Sequence, residues 1–146
     1  MPRAIGRYTD SARVETFPAD FDQPHAVNVF GAYTFRDGRS RVGATLHAGS
    51  NFPLSGYLSR RGDSLFVGAD RNRVRLPAYS RLDLHAQRGF DYAGKRLTLF
   101  VDVLNVLDRR NLGRAQGSID ISTGVATGFT APLLSRRVSG GIVVDF

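Results

Sequence analysis

His47 and His85, with Asp83 and Asp102, are the residues of this 146-residue chain best suited to chemistry. The two histidines share parity on alternating stretches and so fall on one face. Imidazoles placed that way could hold a divalent ion, but a metal site needs a third ligand, and none of fixed register accompanies them. Polar lining of a wall is the simpler reading. Asp83 and Asp102 have the form of an acid–base pair for hydrolysis. No nucleophile motif accompanies them, and Arg81 and Arg96 lie close enough to turn them into ion pairs. Gly113 with Gly117, and Gly38 with Gly43, match no phosphate-binding fingerprint opening a helix. With no cysteine, thiolate ligands and disulfides are excluded. No catalytic, metal or cofactor site is expected, and the chain is read as a non-enzyme.

The net charge is +7, and all but one of the 20 cationic residues are arginine, Lys95 being the exception. Nucleic acid is the usual partner of such charge. The arginines are scattered along the chain without an interleaved aromatic motif, so no nucleic-acid contact is expected. Arginine also pairs well with phosphate, which bacterial surface lipids carry. The run Arg71, Arg73, Arg75, with Arg109 and Arg110, is therefore a candidate for contacts to lipopolysaccharide phosphates through bidentate bonds.

The elements that must position these residues are strands. Residues 135–146 alternate at period two, with Val138, Gly140, Ile142, Val144 and Phe146 on one face and Arg137, Ser139, Gly141, Val143 and Asp145 on the other. Ending such a strand on an aromatic is unusual for a soluble domain but suits a face that meets lipid. Four more stretches repeat the pattern. Residues 25–36 carry Val27, Val29, Tyr33 and Phe35 on one face, and 39–50 carry Val42, Ala44, Leu46 and Ala48. Residues 79–90 carry Leu82, Leu84, Ala86 and Phe90, and 96–107 carry Leu97, Leu99, Val101 and Val103. Asp37-Gly38 predicts a type I′ turn joining the first pair, with Arg36 opposite Arg39 and Tyr33 opposite Val42. For 79–90 and 96–107, the register placing His85 against Asp102 and Phe90 against Leu97 avoids opposing Asp83 to Asp102. Asn105 breaks the apolar parity, and a bulge after Leu104 would turn it away.

Connections alternate short and long. Residues 51–78 form a long link in which Leu65-Phe66-Val67 could make a brief strand. Within 108–134, residues 118–129 suggest a small hairpin around Thr123-Gly124. Residues 1–24 lack periodicity and read as an extracellular-type loop or disordered lead, with structure expected to precede them. The result is an all-β, antiparallel up-and-down meander of five long strands, short links on one side and long ones on the other, as in outer-membrane barrels. No apolar run is long enough for a transmembrane helix, and the first ten residues carry no secretory h-region. Residues 25–35, 80–90 and 136–146 run in one direction, and each ends on a phenylalanine. Eleven residues tilted by about 45° span roughly 25 Å, the height of the apolar band, so Phe35, Phe90 and Phe146 would form an aromatic girdle. Arg88 and Arg136 share the apolar parity but lie near strand ends, where their stems can snorkel.

With these strands placed, the chain resembles the C-terminal part of a TonB-dependent outer-membrane receptor. The resemblance rests on R-L-P-A-Y-S-R-L-D-L at 75–84 and L-T-L-F-V-D-V-L-N-V-L-D-R-R-N at 97–111. D-F-D-Q-P-H at 20–25, D-I-S-T-G at 120–124 and the final Phe146 add to it. It implies a 22-stranded barrel holding an N-terminal plug and importing a scarce nutrient such as a metal chelate, in the bacterial outer membrane. It also implies partners: outer-membrane lipid and lipopolysaccharide, the remaining barrel and plug, TonB, and the barrel-assembly machinery. The last of these would read Ile142, Val144 and Phe146. Residues 25–146 would be the terminal transmembrane segment. The family's plug, energy-coupling box and signal peptide have no counterpart here, which implies a fragment that does not transport alone.

Two other readings share these strands. A segment of a porin-like outer-membrane channel has the same architecture without a plug. A soluble antiparallel β binding domain would bury the Val27–Phe35, Val42–Ala48 and Leu97–Val103 faces against one another.

Overall fold

The computed structural model describes residues 5–10 and 13–145. In chain order these form β1 (Ile5–Asp10), β2 (Arg13–Pro18), β3 (Ala26–Thr34), β4 (Ser40–Gly49), β5 (Leu58–Arg61), β6 (Ser64–Val67) and β7 (Tyr79–Tyr92). They continue with β8 (Lys95–Leu104), β9 (Leu112–Arg114), β10 (Ser118–Ile119), β11 (Val125–Thr127), β12 (Thr130–Pro132) and β13 (Arg137–Asp145). The strands divide into two compact units.

The first unit is built from the described residues up to Ala26, with Gly49–Tyr79 and Asn111–Leu133. It holds the pair β1–β2, the pair β12–β9 and a four-stranded sheet ordered β10-β11-β6-β5. Leu54, Leu58, Val74, Leu76 and Ala126 are its buried core, with Leu65, Leu112 and Phe129 packed against them. The loop or disordered lead expected over 1–24 is corrected: residues 5–18 contain a strand pair. The brief strand expected at Leu65-Phe66-Val67 is present as β6, and it belongs to a hairpin with β5, turned at Gly62 with φ 59°. The four residues of β5 leave little alternation to detect. The hairpin expected around Thr123-Gly124 is present as β10–β11, and β11 pairs with β6 rather than standing alone.

Polar side chains tie this unit's irregular backbone. Asn72, at φ 56° and 2% exposed, donates through Nδ2 to the Pro18 carbonyl and to Asp20 Oδ1, and its Oδ1 accepts the Gly56 N–H. Asn51 Nδ2 donates to the Leu112 carbonyl at 2.7 Å. An asparagine amide both donates and accepts, so each can satisfy backbone groups that loops leave unpaired.

The second unit comprises Val27–Ala48, Ser80–Arg110 and the described part of Leu134–Phe146. It is one five-stranded antiparallel sheet ordered β13-β8-β7-β4-β3, the meander expected, with edges at β13 and β3. Among the described residues no pairing joins its two edge strands, so the sheet is open. His85 faces Asp102 and Phe90 faces Leu97, the register that separates the two aspartates. The Phe35 N–H donates to the Ser40 carbonyl at 2.9 Å, which along an unbroken ladder sets Tyr33 opposite Val42, as expected.

The turns differ from expectation in an instructive way. Asp37 does not adopt positive φ; only Gly38 does, at 63°. Four residues make the loop, because the Asp37 carboxylate accepts the Arg39 and Ser40 amides and the Ser40 hydroxyl. Those bonds, backbone amide of Ser40 first, also hold its carboxyl below the usual carboxylate range. The type I′ conformation occurs instead at Ala93-Gly94, φ 51° and 76°, between the paired residues Tyr92 and Lys95. β7 and β8 therefore run further toward this turn than the sequence indicated. β8 ends at Leu104 rather than 107. There Asn105 takes φ 52°, and the Val106 N–H donates to the Leu82 carbonyl, although the unbroken register would oppose Leu82 to Asn105. One residue is inserted: the bulge that turns Asn105 out of the apolar row.

Candidate membrane-facing surface

Alternation gives the five-stranded sheet two chemically different faces. Its apolar face forms rows across the strands. β13 and β8 oppose Val138 to Val103, Gly140 to Val101, Ile142 to Leu99 and Val144 to Leu97. β8 and β7 oppose Val103 to Leu84, Val101 to Ala86, Leu99 to Arg88 and Leu97 to Phe90. The Gly89 N–H bonded to the Arg39 carbonyl fixes β7 on β4, so Val42 continues the row of Ala86 and Leu46 that of Leu82. On β3, Val27, Val29 and Tyr33, followed by Phe35, complete the face.

These are the residues expected to face lipid, and none of the described ones is buried. Val27, Val29, Tyr33, Phe35, Val42, Leu46, Leu84, Phe90, Leu99, Val101, Val138, Ile142 and Val144 are exposed, reaching 67% at Val138. Leu82, Leu97 and Val103 are partly exposed. Among the described residues, every buried apolar side chain belongs to the first unit. Ile142 and Val144 of the suggested assembly signal lie on this face near its β13 edge; Phe146, the third girdle aromatic, lies outside the described residues.

The opposite face carries most of the sheet's polar groups, several of them paired with one another, beside Phe30, Phe100, Leu104 and Val143. Asn28 and His47 meet through Oδ1 and Nδ1 at 2.7 Å. His85 Nδ1 lies 2.7 Å from Asp102 Oδ1, and its Nε2 lies 3.1 Å from Gln87 Oε1. Arg81 pairs with Asp83 at 2.9 Å, and Asp83 Oδ1 also accepts the Asn105 N–H. Arg39 pairs with Asp91 near the short turns. The two histidines are not brought together. His47 aligns with Arg81, four residues from His85, roughly 13 Å along a strand. Asp83 and Asp102 are likewise committed to separate partners. A groove of about 420 Å³ lies on this face, lined by Arg41, Thr45, Asp83, His85, Gln87 and Asp102 among others.

Phe100 is a residue that sequence reasoning passed over. It has polar-face parity, stacks on the His85 ring at 6.5 Å between centroids, and covers Gly141, its direct cross-strand partner. A Cβ on Gly141 would come within 2.8 Å of the Phe100 ring. A glycine opposite an aromatic on neighbouring strands is the available signal. Asn105, expected to turn away at a bulge, has a role the sequence did not show. It is fully buried, its Nδ2 donating to the carbonyls of Arg109 and Leu134 and its Oδ1 accepting the Arg109 N–H.

The arginine group expected to meet lipopolysaccharide is divided between the units, and one member must be withdrawn. Arg75 Nη2 lies 2.6 Å from Asp22 Oδ2, and Nη1 donates to the carbonyls of Asp22 and Asn51. The Asp22 side chain is only 3% exposed, so Arg75 is an internal tie. Its partner lies 53 residues away, which a charge count cannot see. Arg71 stands over the Phe17 ring at 4.5 Å, Arg73 pairs loosely with Asp70 at 3.3 Å, and Arg109 and Arg110 are exposed.

No protein-family model, no curated protein and no solved structure matches the chain.

Proposed function

We propose that this chain is the terminal segment of the β-barrel of a TonB-dependent outer-membrane receptor, whose completed form imports a scarce nutrient such as a metal chelate. The observation that carries the membrane reading is the uncovered apolar face, continuous in register over five strands. Contiguous apolar surface of this extent on a soluble protein marks an interaction site. Backed by a polar face, it has the alternation of an outer-membrane strand set, apolar toward lipid and polar toward the lumen.

The phenylalanines support the same reading. Phe35 lies in the row of Ser40 and Arg88; Phe90 lies one row nearer the short turns, two strands further on. A step of about 7 Å over about 10 Å of strand spacing inclines the line joining them by about 35° to the rows. An axis perpendicular to that line makes the same angle with the strands, within the tilt range of about 35–45° for such barrels. Arg36, Asp37, Arg39, Asp91 and Lys95 all lie at or beyond that line on the short-turn side. In this reading Arg71, Arg73, Arg109 and Arg110 meet outer-leaflet phosphate, without Arg75. The soluble alternative needs the Val27–Phe35, Val42–Ala48 and Leu97–Val103 faces buried against one another; they lie side by side and exposed. The receptor rather than a porin-like channel rests on the sequence motifs alone.

The membrane reading is tested by refolding the full chain with phospholipid vesicles. Co-flotation with protease protection of β7, β8 and β13 is expected. Recovery as a monomer in buffer without detergent would overturn it. Upstream coding sequence for further alternating strands and a plug separates receptor from channel.

A further inference from the structure

Arg88 is out of place on the apolar face. Between the row of Phe90 and the start of β13, it is the one charged side chain of apolar-face parity among the described residues. Among the described residues no acidic side chain lies on that stretch of the face, and the nearest carboxylate that feels the Arg88 charge is Asp37 in the adjoining turn. Its guanidinium lies 5.5 Å from the Phe90 ring centroid, so the side chain reaches back along the strand toward the aromatic line. Lys95, two rows nearer the turn on the neighbouring strand, adds positive charge of the same parity.

Beside Arg88 the face is indented. A groove of about 350 Å³ is lined on this face by Ser40, Val42, Ala86, Arg88, Leu99 and Val101. It exists because Ala86, a small residue, is set between the larger Val42 and Val101. The groove is apolar along its floor and cationic at its turn-side end.

We infer that this groove holds a phospholipid of the leaflet on the short-turn side, its phosphate diester on Arg88 and an acyl chain along Val42, Ala86 and Val101. The inference rests on the membrane-facing reading and names the lipid chemistry that one part of that face selects. An aliphatic floor ending in a cation fits an amphiphile with an anionic head. A phosphate also suits a guanidinium, which offers several donors in a fixed fork.

The test uses the full chain in detergent micelles, with lipid retention read by native mass spectrometry. Phosphatidylglycerol should be retained over the diacylglycerol of the same chains, which lacks the phosphate. Arg88→Gln should lower that preference about tenfold, roughly 1.4 kcal/mol, while Arg110→Gln leaves it unchanged. Ala86→Phe, filling the groove, should lower retention of both lipids. Equal retention of the two lipids by the wild-type chain, or an unchanged preference in Arg88→Gln, would overturn the site while the chain still inserts into vesicles. Displacement by soluble glycerophosphate at the lipid's own concentration would likewise overturn a lipid occupant. A chain that stays monomeric in buffer without detergent would overturn both the site and the membrane reading beneath it.

Discussion

The two units of this chain place their apolar side chains in opposite ways. The first, assembled from the long connections, draws Leu54, Leu58, Val74, Leu76 and Ala126 into a small buried cluster and ties its irregular backbone with Asn51, Asn72 and Arg75. The second leaves most of its Val, Leu and Ile side chains on one open face and carries its paired polar groups on the other, beside Phe30 and Val143. The first thus covers its apolar side chains itself, and the second leaves them exposed. That difference teaches more than any single residue, and the membrane-facing reading proposed above follows from it.

The comparison breaks most directly at one residue of each kind. Leu54 is 1% exposed, and Leu54→Ala should cost about 2–5 kcal/mol in the first unit through lost burial and a residual cavity. Val101, in the middle of the open face, is the converse case. Val101→Arg should cost about 2–4 kcal/mol in vesicles, where the site meets hydrocarbon. In aqueous buffer the same change at an exposed position should stay within about 0.5 kcal/mol. Denaturant unfolding in vesicles and in buffer checks both. A Val101→Arg effect independent of lipid would mean that the face is covered by protein.

Asn105 is, among the described residues, the second unit's one fully buried side chain. Replacing it with alanine strands two carbonyls and an amide and keeps a Cβ at positive φ, for a cost of about 1–3 kcal/mol. Asn105→Gly loses the same side-chain bonds but relaxes the backbone, so it should be the milder of the two. Equal losses would show that the backbone conformation contributes nothing. Thermal unfolding of the two variants separates these cases.

How far this design was legible follows from the length scale of each signal. The five long strands, their order and both hairpin registers were readable, because period-two patterning over ten residues and one like-charge conflict leave few solutions. The mismatch at Asn105 pointed to a bulge. The first unit was readable only in part: the brief strand at Leu65-Phe66-Val67 and the hairpin around Thr123-Gly124 showed, while β5, β9 and β12 are at most four residues long. Its irregular backbone is tied by Asn72 and Arg75, which reach partners 52 to 54 residues away as well as Gly56 and Asn51. The turn at Asp37-Gly38 was misjudged because a dipeptide preference gave way to three hydrogen bonds on one carboxylate. Arg75 was misjudged for the same physical reason, since charge is visible in sequence and its partner is not.

The turn at Ala93-Gly94 sharpens the comparison at smaller scale. Alanine at φ 51° pays the left-handed penalty that asparagine tolerates better. Ala93→Asn should therefore stabilise β7–β8 by up to about 1 kcal/mol, visible as slower amide exchange at Phe90 and Leu97. No change is expected at Leu54 or Ala126. A gain shared by both units would mean that they unfold as one.

The smallest effect separates the units by pH. Asp120, in the β10–β11 turn, has its carboxyl lowered from the usual 3.8 to about 2, by the Ser122 hydroxyl first, then the Thr123 hydroxyl and the Ser122 amide. A carboxyl with a lower pKa folded than unfolded favours the folded turn above about pH 4. That contribution fades as pH falls through about 2, because both states are then protonated and the carboxylate bonds are gone. Titration followed by NMR should place the Asp120 midpoint near 2, and exchange at Val125 and Ala126 should quicken between pH 4 and 2. Asp120→Ala should show the faster exchange at every pH and no transition in that window. The amides pairing β7 with β8 should respond to neither. If they quickened in step with Val125, the two units would share one cooperative transition, and the division between a part with its own core and a part with an open apolar face would fail.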